Sequence, residues 1–226
     1  MATPLVRFSS ADRREQILAV ATGLFAQQGF RGTTTRQIAE GSGVTEALIF
    51  RHFPSKEELY WAVIESKINS AAPLERMLEN LEGGGSDLEI LSRVALEVLE
   101  RRAKDQTLSR LLLFSALEKH ELSERFFLNY IANYFEGLAQ FIRRGITAGR
   151  FRRTDPLLAA RGFLGMVIYH SWIQELYGGK EVQDFDLRVV SRTLAEVWLH
   201  GVQAGKKSAG GPKQLVPKRR QKHQVK

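Results

Sequence analysis

Apolar side chains recur at spacings of three and four residues between about residues 10 and 202, which places them on one face of an α-helix. The first helix is predicted from Ser10 to Gln28, with a cap at Ser9 or Ser10 and an end at Gly29. No stretch of useful length alternates apolar and polar residues, and no hairpin signal is present. The pattern predicts an all-α fold.

Two short helices follow the first one closely. The second is predicted from Thr34 to about Glu40 with Thr33 as its N-cap, and the third from Thr45 to about His52, stopped by Pro54. A glycine-containing turn at residues 41–44 joins them. This is the pattern of a helix-turn-helix unit, in which the third helix enters the major groove of DNA.

The rest of the chain is predicted to form longer helices. Ser55 with Glu58 and Ser86 with Glu89 have the spacing of a capping box, so each pair predicts a helix start. Gly83, at the head of three glycines, marks the clearest interior break. The later helices are predicted at Gln106 to Glu118, Ser123 to Ala148, Pro156 to Tyr177 and Asp184 to about Val202.

The composition narrows the class of protein. The chain has 226 residues, 43% of them hydrophobic, which suffices for a sizeable core. The absence of cysteine excludes disulfides, zinc-thiolate sites and iron-sulfur clusters, and it fits a reducing compartment. The first ten residues lack the apolar segment of a signal peptide, and the longest apolar run falls well short of a membrane span. We therefore expect a cytoplasmic protein with no membrane partner.

The net charge of +8 comes from one end of the chain. Residues 201–226 carry eight Lys and Arg and no acid, while residues 1–200 carry 25 basic and 25 acidic side chains. The tail could attract DNA non-specifically or simply keep the protein soluble. The predicted organisation is a flexible start at 1–9, a helix-turn-helix domain at 10–56, a helical domain at 57–204 and a disordered basic tail at 205–226.

Three segments of the first 63 residues resemble the DNA-binding domain of the TetR/AcrR family of transcriptional regulators. They are GFRGTTTRQIA at 29–39, GVT at 43–45 and FRHFPSKEEL at 50–59. The resemblance implies a homodimer that represses transcription and leaves its double-stranded DNA operator when a small molecule binds. It also implies that the larger helical domain holds both the effector site and the dimer interface.

The candidate DNA contacts lie at the start of the second helix, on the third helix and at the start of the next one. They are Thr34, Thr35, Arg36, Thr45, Glu46, Ala47, Leu48, Phe50, Arg51 and Lys56. Backbone N–H groups and a cation at the second helix start suit a phosphate, as do Arg51 and Lys56. Glu46 could accept a hydrogen bond from a cytosine amine, or it could be a solvated carboxylate favoured by the helix dipole.

Two of these positions depart from the family pattern. The family often has tyrosine where this chain has Phe50, which cannot donate a hydrogen bond to a phosphate and would make an apolar contact only. It often has a small hydroxyl residue where this chain has Leu48. Leu48 could contact a thymine methyl group, or it could pack within the domain.

Large apolar side chains on the later helices supply candidates for an effector pocket. Apolar walls with a few polar groups are typical of such pockets, although core packing is the ordinary role of these residues. The candidates are Tyr130, Tyr134, Met166, His170 and Trp172. We expect an unknown small apolar effector that moves the helix beginning at Ser55 and so changes the distance between the two recognition helices.

The last two predicted helices have broad apolar faces, and the resemblance implies that this pair forms the dimer interface. The candidates are Leu164, Val167, Ile168, Val190, Leu194, Val197 and Trp198. Two half-sites on DNA also call for a two-fold dimer.

Catalytic motifs are missing from the sequence. It contains no Walker loop, no dinucleotide fingerprint and no His-Glu-x-x-His pair, and its five histidines are scattered. We therefore expect no cofactor, no metal and no enzymatic activity. A regulator that binds DNA without responding to a ligand remains the nearer alternative, and an enzyme with an apolar pocket the more distant one.

Overall fold

The computed structural model describes residues 9–69, 73–118 and 121–203. The predicted flexible start, apart from Ser9, and the predicted disordered tail lie outside these residues. The all-α prediction is confirmed, because the described residues form helices and a single isolated bridge between Phe151 and Gln203. Within these ranges, no helix combines the length and the apolar character that crossing a bilayer requires.

The helices are numbered in chain order. Their bounds are α1 Ser10–Gly32, α2 Thr35–Ser42, α3 Glu46–His52, α4 Lys56–Asn69, α5 Pro73–Glu82, α6 Asp87–Lys104, α7 Thr107–Leu117, α8 Glu121–Phe126, α9 Ala132–Thr147, α10 Pro156–Glu175, α11 Gly179–Val182 and α12 Leu187–Val202. A π-helical segment at Phe127–Ile131 joins α8 to α9.

The N-terminal caps of α1 and α3 agree with the predictions, whereas the cap of α2 is shifted by one residue. The side chains of Ser9 and Thr45 cap α1 and α3, as predicted. The cap of α2 is Thr34, one residue beyond the predicted Thr33. Thr33 is fully buried, and its hydroxyl donates to the carbonyl of Gly29 at 2.9 Å. That bond leaves the next threonine to cap the helix.

The regular course of the first helix is interrupted at Gly29, where the sequence predicted its C-terminus. The backbone there has φ 75° and ψ −179°, a combination of angles that is essentially restricted to glycine. After this kink a short helical segment continues to Gly32, so α1 extends three residues beyond the predicted break.

Two predicted helices are divided in the structure. The span between Ser55 and Gly83 holds both α4 and α5, and Pro73 occupies the first position of α5, where its missing N–H group costs nothing. The predicted helix from Ser123 to Ala148 contains α8, the π-helical segment and α9. A π-helical turn keeps the helical path continuous, so the apolar spacing alone does not reveal it.

The buried apolar side chains form two clusters. The first core joins α1 to α4 and takes in Leu111 of α7 and Phe126 of α8. The second core joins α5, α6, α9, α10 and α12 around residues such as Leu91 and Phe163. Since α4 lies wholly in the first core, the division between the cores does not coincide with the predicted domain boundary after residue 56. Helix α7 follows α6 of the second core in the chain and contributes Leu111 to the first core.

Candidate nucleic-acid interface and helical body

Helix α3 presents an exposed face next to the turn that follows α2. Its inner side is fixed by Ile49 and by Phe53 just after its end, both of which are buried in the first core. Leu48 is half-buried, and its contact with a thymine methyl group stays a prediction. The exposed candidates are Thr45, Glu46, Ala47, Phe50 and Arg51. The structure thus brings these five side chains together on one surface.

The start of α2 is tied to α3 by a short hydrogen bond. The hydroxyl of Thr35 donates to the Glu46 carboxylate at 2.5 Å. Arg36 is paired with Glu40 at 2.9 Å, one turn further along the same helix. Glu46 is therefore not a simply solvated carboxylate, because it accepts a hydrogen bond from Thr35. A contact between Glu46 and a base would require this bond to be exchanged.

Lys56, at the first position of α4, lies against the first core. Its Nζ atom is 4.3 Å from the centre of the Phe30 ring, a cation–π distance. Burial is the main cause of a lowered pKa at Lys56. Lys56 is half-buried beside the start of α4. Its role as a phosphate contact stays a prediction.

Helix α7 is fastened to α1 next to the Gly29 kink. The Glu118 carboxylate accepts hydrogen bonds from the backbone N–H of Arg31 at 3.3 and 3.2 Å. The Arg110 guanidinium donates through Nε to the carbonyl of Ala26 at 2.6 Å. These partners are more than 80 residues apart in the sequence, so no local pattern could have predicted the contacts. We call this set of contacts the α1–α7 junction.

A buried tyrosine connects α4 to the same helix. The hydroxyl of Tyr60 donates to the carbonyl of Leu111 at 2.7 Å, and both side chains are fully buried. Burial raises the pKa of the Tyr60 phenol, so it remains a neutral donor. Helices α1 and α4, which both belong to the first core, are thus both linked to α7.

The five predicted effector residues do not line one pocket. Tyr130 packs in the first core, with its ring centre 5.3 Å from that of Phe126. Tyr134 and Met166 pack against the second core, and burial raises the pKa of Tyr134 to about 12. These three residues therefore have the packing role that the sequence left open as the alternative.

The remaining two candidates lie on α10. The ring of His170 is 5.9 Å from that of Phe185, and burial lowers the pKa of His170. Trp172 lines an apolar cleft of about 230 Å³ between α7 and α10, together with Phe114 and Leu117. Its indole Nε1 is buried and has no hydrogen-bond partner within the described ranges.

A larger cavity lies among α4, α5, α6 and α7, with a volume of about 640 Å³. Most of the residues that line it are of charged types, in contrast to the apolar pocket that the sequence predicted, and none of the five predicted residues is among them. The charged residues include Lys67, Glu97, Arg101, Arg102, Lys104 and Asp105. Their charges could have been noticed in the sequence, but on helices they are indistinguishable from ordinary surface residues.

Two of the charged groups in this cavity are strongly affected by their surroundings. Partial burial opposes ionisation of Asp105, but hydrogen bonds from Thr107 and Lys67 outweigh it and lower the pKa of Asp105 to about 2. Burial, together with the neighbouring charge of Arg101, lowers the pKa of Arg102 to about 10. Arg102 also donates through Nε to the hydroxyl of Ser171 on α10, at 2.8 Å.

The predicted dimer residues divide into inward and outward positions. Four of them pack inside the second core and are not available to a partner: Leu164, Val167, Val190 and Trp198. Ile168 and Leu194 are half-buried and pack against the same core. Of the set, only Val197 is exposed, at 58%. The exposed apolar groups that sequence reasoning missed include Leu158, Tyr169 and Val189.

Comparison with known proteins gives two family matches. Residues 17–63 match the model described as bacterial regulatory proteins, tetR family, and residues 88–199 match the C-terminal domain of the AefR-like transcriptional repressor. The N-terminal match covers the helix-turn-helix unit and most of α4. The C-terminal match covers the helical body from α6 to α12.

Individual relatives agree with these matches. The chain is 30% identical over 183 residues to the nucleoid occlusion factor SlmA of Photobacterium profundum, covering 77% of this chain and 91% of that protein. It is 30% identical over 158 residues to the HTH-type transcriptional repressor KstR2 of Rhodococcus jostii, covering 67% of this chain and 74% of that protein.

The fold is also that of a solved regulator. The transcriptional regulator FadR of Bacillus subtilis, solved in complex with stearoyl-CoA, superposes with a TM-score of 0.66 at 21% identity over 84% of this chain and 99% of that one. Proteins of this family are DNA-binding regulators rather than enzymes, so the enzyme alternative is set aside. The chain belongs to the tetR family of bacterial regulatory proteins and is a DNA-binding transcriptional regulator.

Proposed function

We propose that this regulator is a cytoplasmic homodimer that represses transcription from a two-fold operator and leaves the DNA when a small molecule binds its helical body. The observation that carries the proposal is the exposed face of α3, which is held by the first core (the DNA-binding end), together with a cavity of about 640 Å³ lined by α4, α5, α6 and α7. Helix α7 lines this cavity through Leu108 and contributes Leu111 to the first core.

The DNA end suits major-groove reading. Thr45, Ala47 and Phe50 are small or apolar groups on the exposed face of α3, and Arg51 supplies a cation beside them. Small apolar groups can contact thymine methyls, whereas the cation suits a phosphate. We expect Lys56 to add a second phosphate contact.

The dimer proposal rests on an exposed stripe of α10 and on one exposed apolar side chain of α12. On α10, Leu158, Gly162, Gly165 and Tyr169 follow one another at intervals of four, three and four residues, and all are exposed. On α12, Val197 is exposed although apolar. The two glycines would permit close approach of a helix from a second copy, and a two-fold axis would double the buried apolar area.

Substitution of Val197 tests the dimer. Val197→Arg should place a charge in the interface and shift the protein toward monomer in sedimentation velocity at micromolar concentration. Val182→Arg is the control, because Val182 is 91% exposed and lies on α11, outside the proposed interface of α10 and α12. A wild-type protein that sediments as a monomer would refute the dimer, as would an unchanged dimer of the Val197 variant.

The release proposal follows from the connections of α7. A ligand that enters the helical body can act on α1 through the Glu118–Arg31 contact and on α4 through Tyr60. It lowers DNA affinity only if it prefers the arrangement that fits DNA poorly. FadR of Bacillus subtilis provides an example of a similar fold with a bound small molecule, stearoyl-CoA.

The decisive experiment is operator selection followed by a release assay. Genomic fragments that bind the protein define the operator, and fluorescence anisotropy on that operator measures affinity in the presence of candidate effectors. We expect a two-fold site whose half-sites are separated by about one helical turn or a multiple of it. Candidate effectors are chosen from the metabolism that the genes beside the operator encode. If none of them changes the affinity for the operator, a constitutive regulator is favoured.

A further inference from the structure

The charged cavity among α4, α5, α6 and α7 has an excess of positive groups. Five basic and three acidic side chains line it. Two of the acids are matched by cavity cations, Asp105 by Lys67 at 2.9 Å and Glu97 by Arg101 at 3.7 Å. Over the whole lining the five basic side chains exceed the three acidic ones by two, so an entering molecule meets a positive potential.

Arg102 is the cation most affected by this arrangement. Its guanidinium is largely withdrawn from water beside Arg101, and the pKa of Arg102 is lowered to about 10 as a result. A charge that is disfavoured by burial and by a like neighbour becomes favoured again when an anion binds beside it. Guanidinium groups also match the planar geometry of carboxylates and the tetrahedral oxygens of phosphates and sulfonates.

The neighbouring ion pair is loosely made. The 3.7 Å between the Arg101 Nε and the Glu97 Oε1 is too long for a hydrogen bond. In the part of the chain that the structure describes, neither Glu97 carboxylate oxygen nor Arg101 Nε has a hydrogen-bond partner, although all three atoms are buried. Burial raises the pKa of Glu97, which makes loss of its negative charge easier than in water. Both side chains therefore retain hydrogen-bonding capacity that a ligand can use.

We propose that this cavity is the effector site and that its effector is a small organic anion, a carboxylate, phosphate or sulfonate, held by Arg102 and Arg101. The volume of about 640 Å³ lies within the range of small-molecule sites. Leu108 of α7 lines the cavity and also packs against the first core. An occupant therefore contacts a side chain that packs against the core of the DNA-binding end. For its regulatory consequence, this inference rests on the proposed ligand response.

A matched pair of fluorescent probes tests the charge requirement without DNA. The anionic probe is 1-anilinonaphthalene-8-sulfonate, and the uncharged probe is N-phenyl-1-naphthylamine, which has the same rings without the sulfonate. We expect one tight sulfonate site per chain and at least about tenfold weaker binding of the uncharged probe, since charge-assisted hydrogen bonds are the stronger kind. Equal binding of both probes, or no sulfonate binding at millimolar concentration, overturns the proposal.

Variants of opposite sign place the site in this cavity. Arg102→Gln should weaken sulfonate binding about tenfold, whereas Glu97→Gln should tighten it several-fold because it removes a nearby negative charge. Arg143→Gln is the control, since Arg143 is an exposed side chain on α9 paired with Glu136. If Arg102→Gln does not fold, the Glu97 variant and Lys104→Gln, expected to weaken binding about threefold, decide the matter. Unchanged affinity in these variants refutes the assignment.

The operator assay separates this inference from the ligand response. In one outcome, the probe binds with the expected charge dependence while the protein stays on the operator. That result would support the anion site and refute release of the operator by its occupant. In the converse outcome, an uncharged compound releases the operator while probe binding shows no dependence on charge. That result would support the ligand response and refute the anion site.

Discussion

The kink at Gly29 gives a sharp test of the α1–α7 junction. A Cβ atom at Gly29 would lie 2.8 Å from Cδ1 of Phe114 and would also collide with the Glu118 carboxylate. The backbone at Gly29, with φ 75° and ψ −179°, is essentially restricted to glycine. Gly29→Ala should therefore strain the backbone and displace both side chains of α7.

The expected loss of stability is a sum of three effects. Backbone strain costs about 1–3 kcal/mol, displacement of Phe114 about 1 kcal/mol, and loss of the partly exposed Glu118 hydrogen bonds about 1 kcal/mol. The free energy of unfolding should fall by about 3–5 kcal/mol. For a chain of this size that corresponds to a decrease in Tm of about 6–20 °C.

Gly43→Ala provides the matched control for backbone strain alone. Gly43 also has a positive φ, 62°, but no atom lies within 4 Å of the position that its Cβ would take. Left-handed helical angles cost a non-glycine residue about 1–2 kcal/mol, so we expect a decrease in Tm of about 2–8 °C. Both values should come from thermal unfolding at one protomer concentration. If Gly29→Ala lowers Tm no more than Gly43→Ala does, the junction is not packed as described.

Three further predictions concern single side chains. Lys56→Gln should weaken binding to all DNA sequences and reduce the slope of log affinity against log salt by about one unit; an unchanged slope in a salt titration would exclude the phosphate contact. Tyr60→Phe removes the hydrogen bond to the Leu111 carbonyl, so it should lower the free energy of unfolding by about 1 kcal/mol and Tm by about 2–4 °C, whereas Tyr177→Phe, at an exposed position, should leave Tm unchanged. Asp105 has a folded-state pKa of about 2, below its ordinary value of 3.8, so its contribution is present above pH 3.8 and disappears as the pH falls toward 2. Asp105→Asn should therefore reduce the fall in the free energy of unfolding between pH 3.8 and 2, as measured by urea unfolding. An unchanged fall would contradict the lowered pKa of Asp105.

The DNA-binding end could be predicted from the sequence because its signals are local. The stripe on α1, the cap at Thr45 and the turn before it lie within a few residues of the groups that they position. Even here the sequence placed the α2 cap one residue early. Thr33 and Thr34 are equally good caps by type, and only the bond from Thr33 to the Gly29 carbonyl distinguishes them.

The proposed dimer face could not be predicted residue by residue, because α10 is apolar nearly all the way round. Leu158 is exposed while Phe163 and Leu164 are buried, although all three are large apolar residues. A helix with apolar groups on every side gives no sequence signal for which side meets the core. Packing against α6, α9 and α12 makes that choice in the folded chain.

The connection between the proposed effector cavity and the DNA-binding end also depends on contacts that are distant in sequence. The sequence suggested that a ligand acts through α4, which follows directly after α3. Yet α7 contributes Leu108 to the cavity wall and Leu111 to the first core, and its last turn lies against the Gly29 kink. Because α1 and α4 pack in that same core, a shift of α7 would move the DNA-binding unit as one body rather than bend α4 within it. The separation of the two recognition helices would then change through rotation of whole units, and only a ligand with different affinity for the two orientations can drive that rotation.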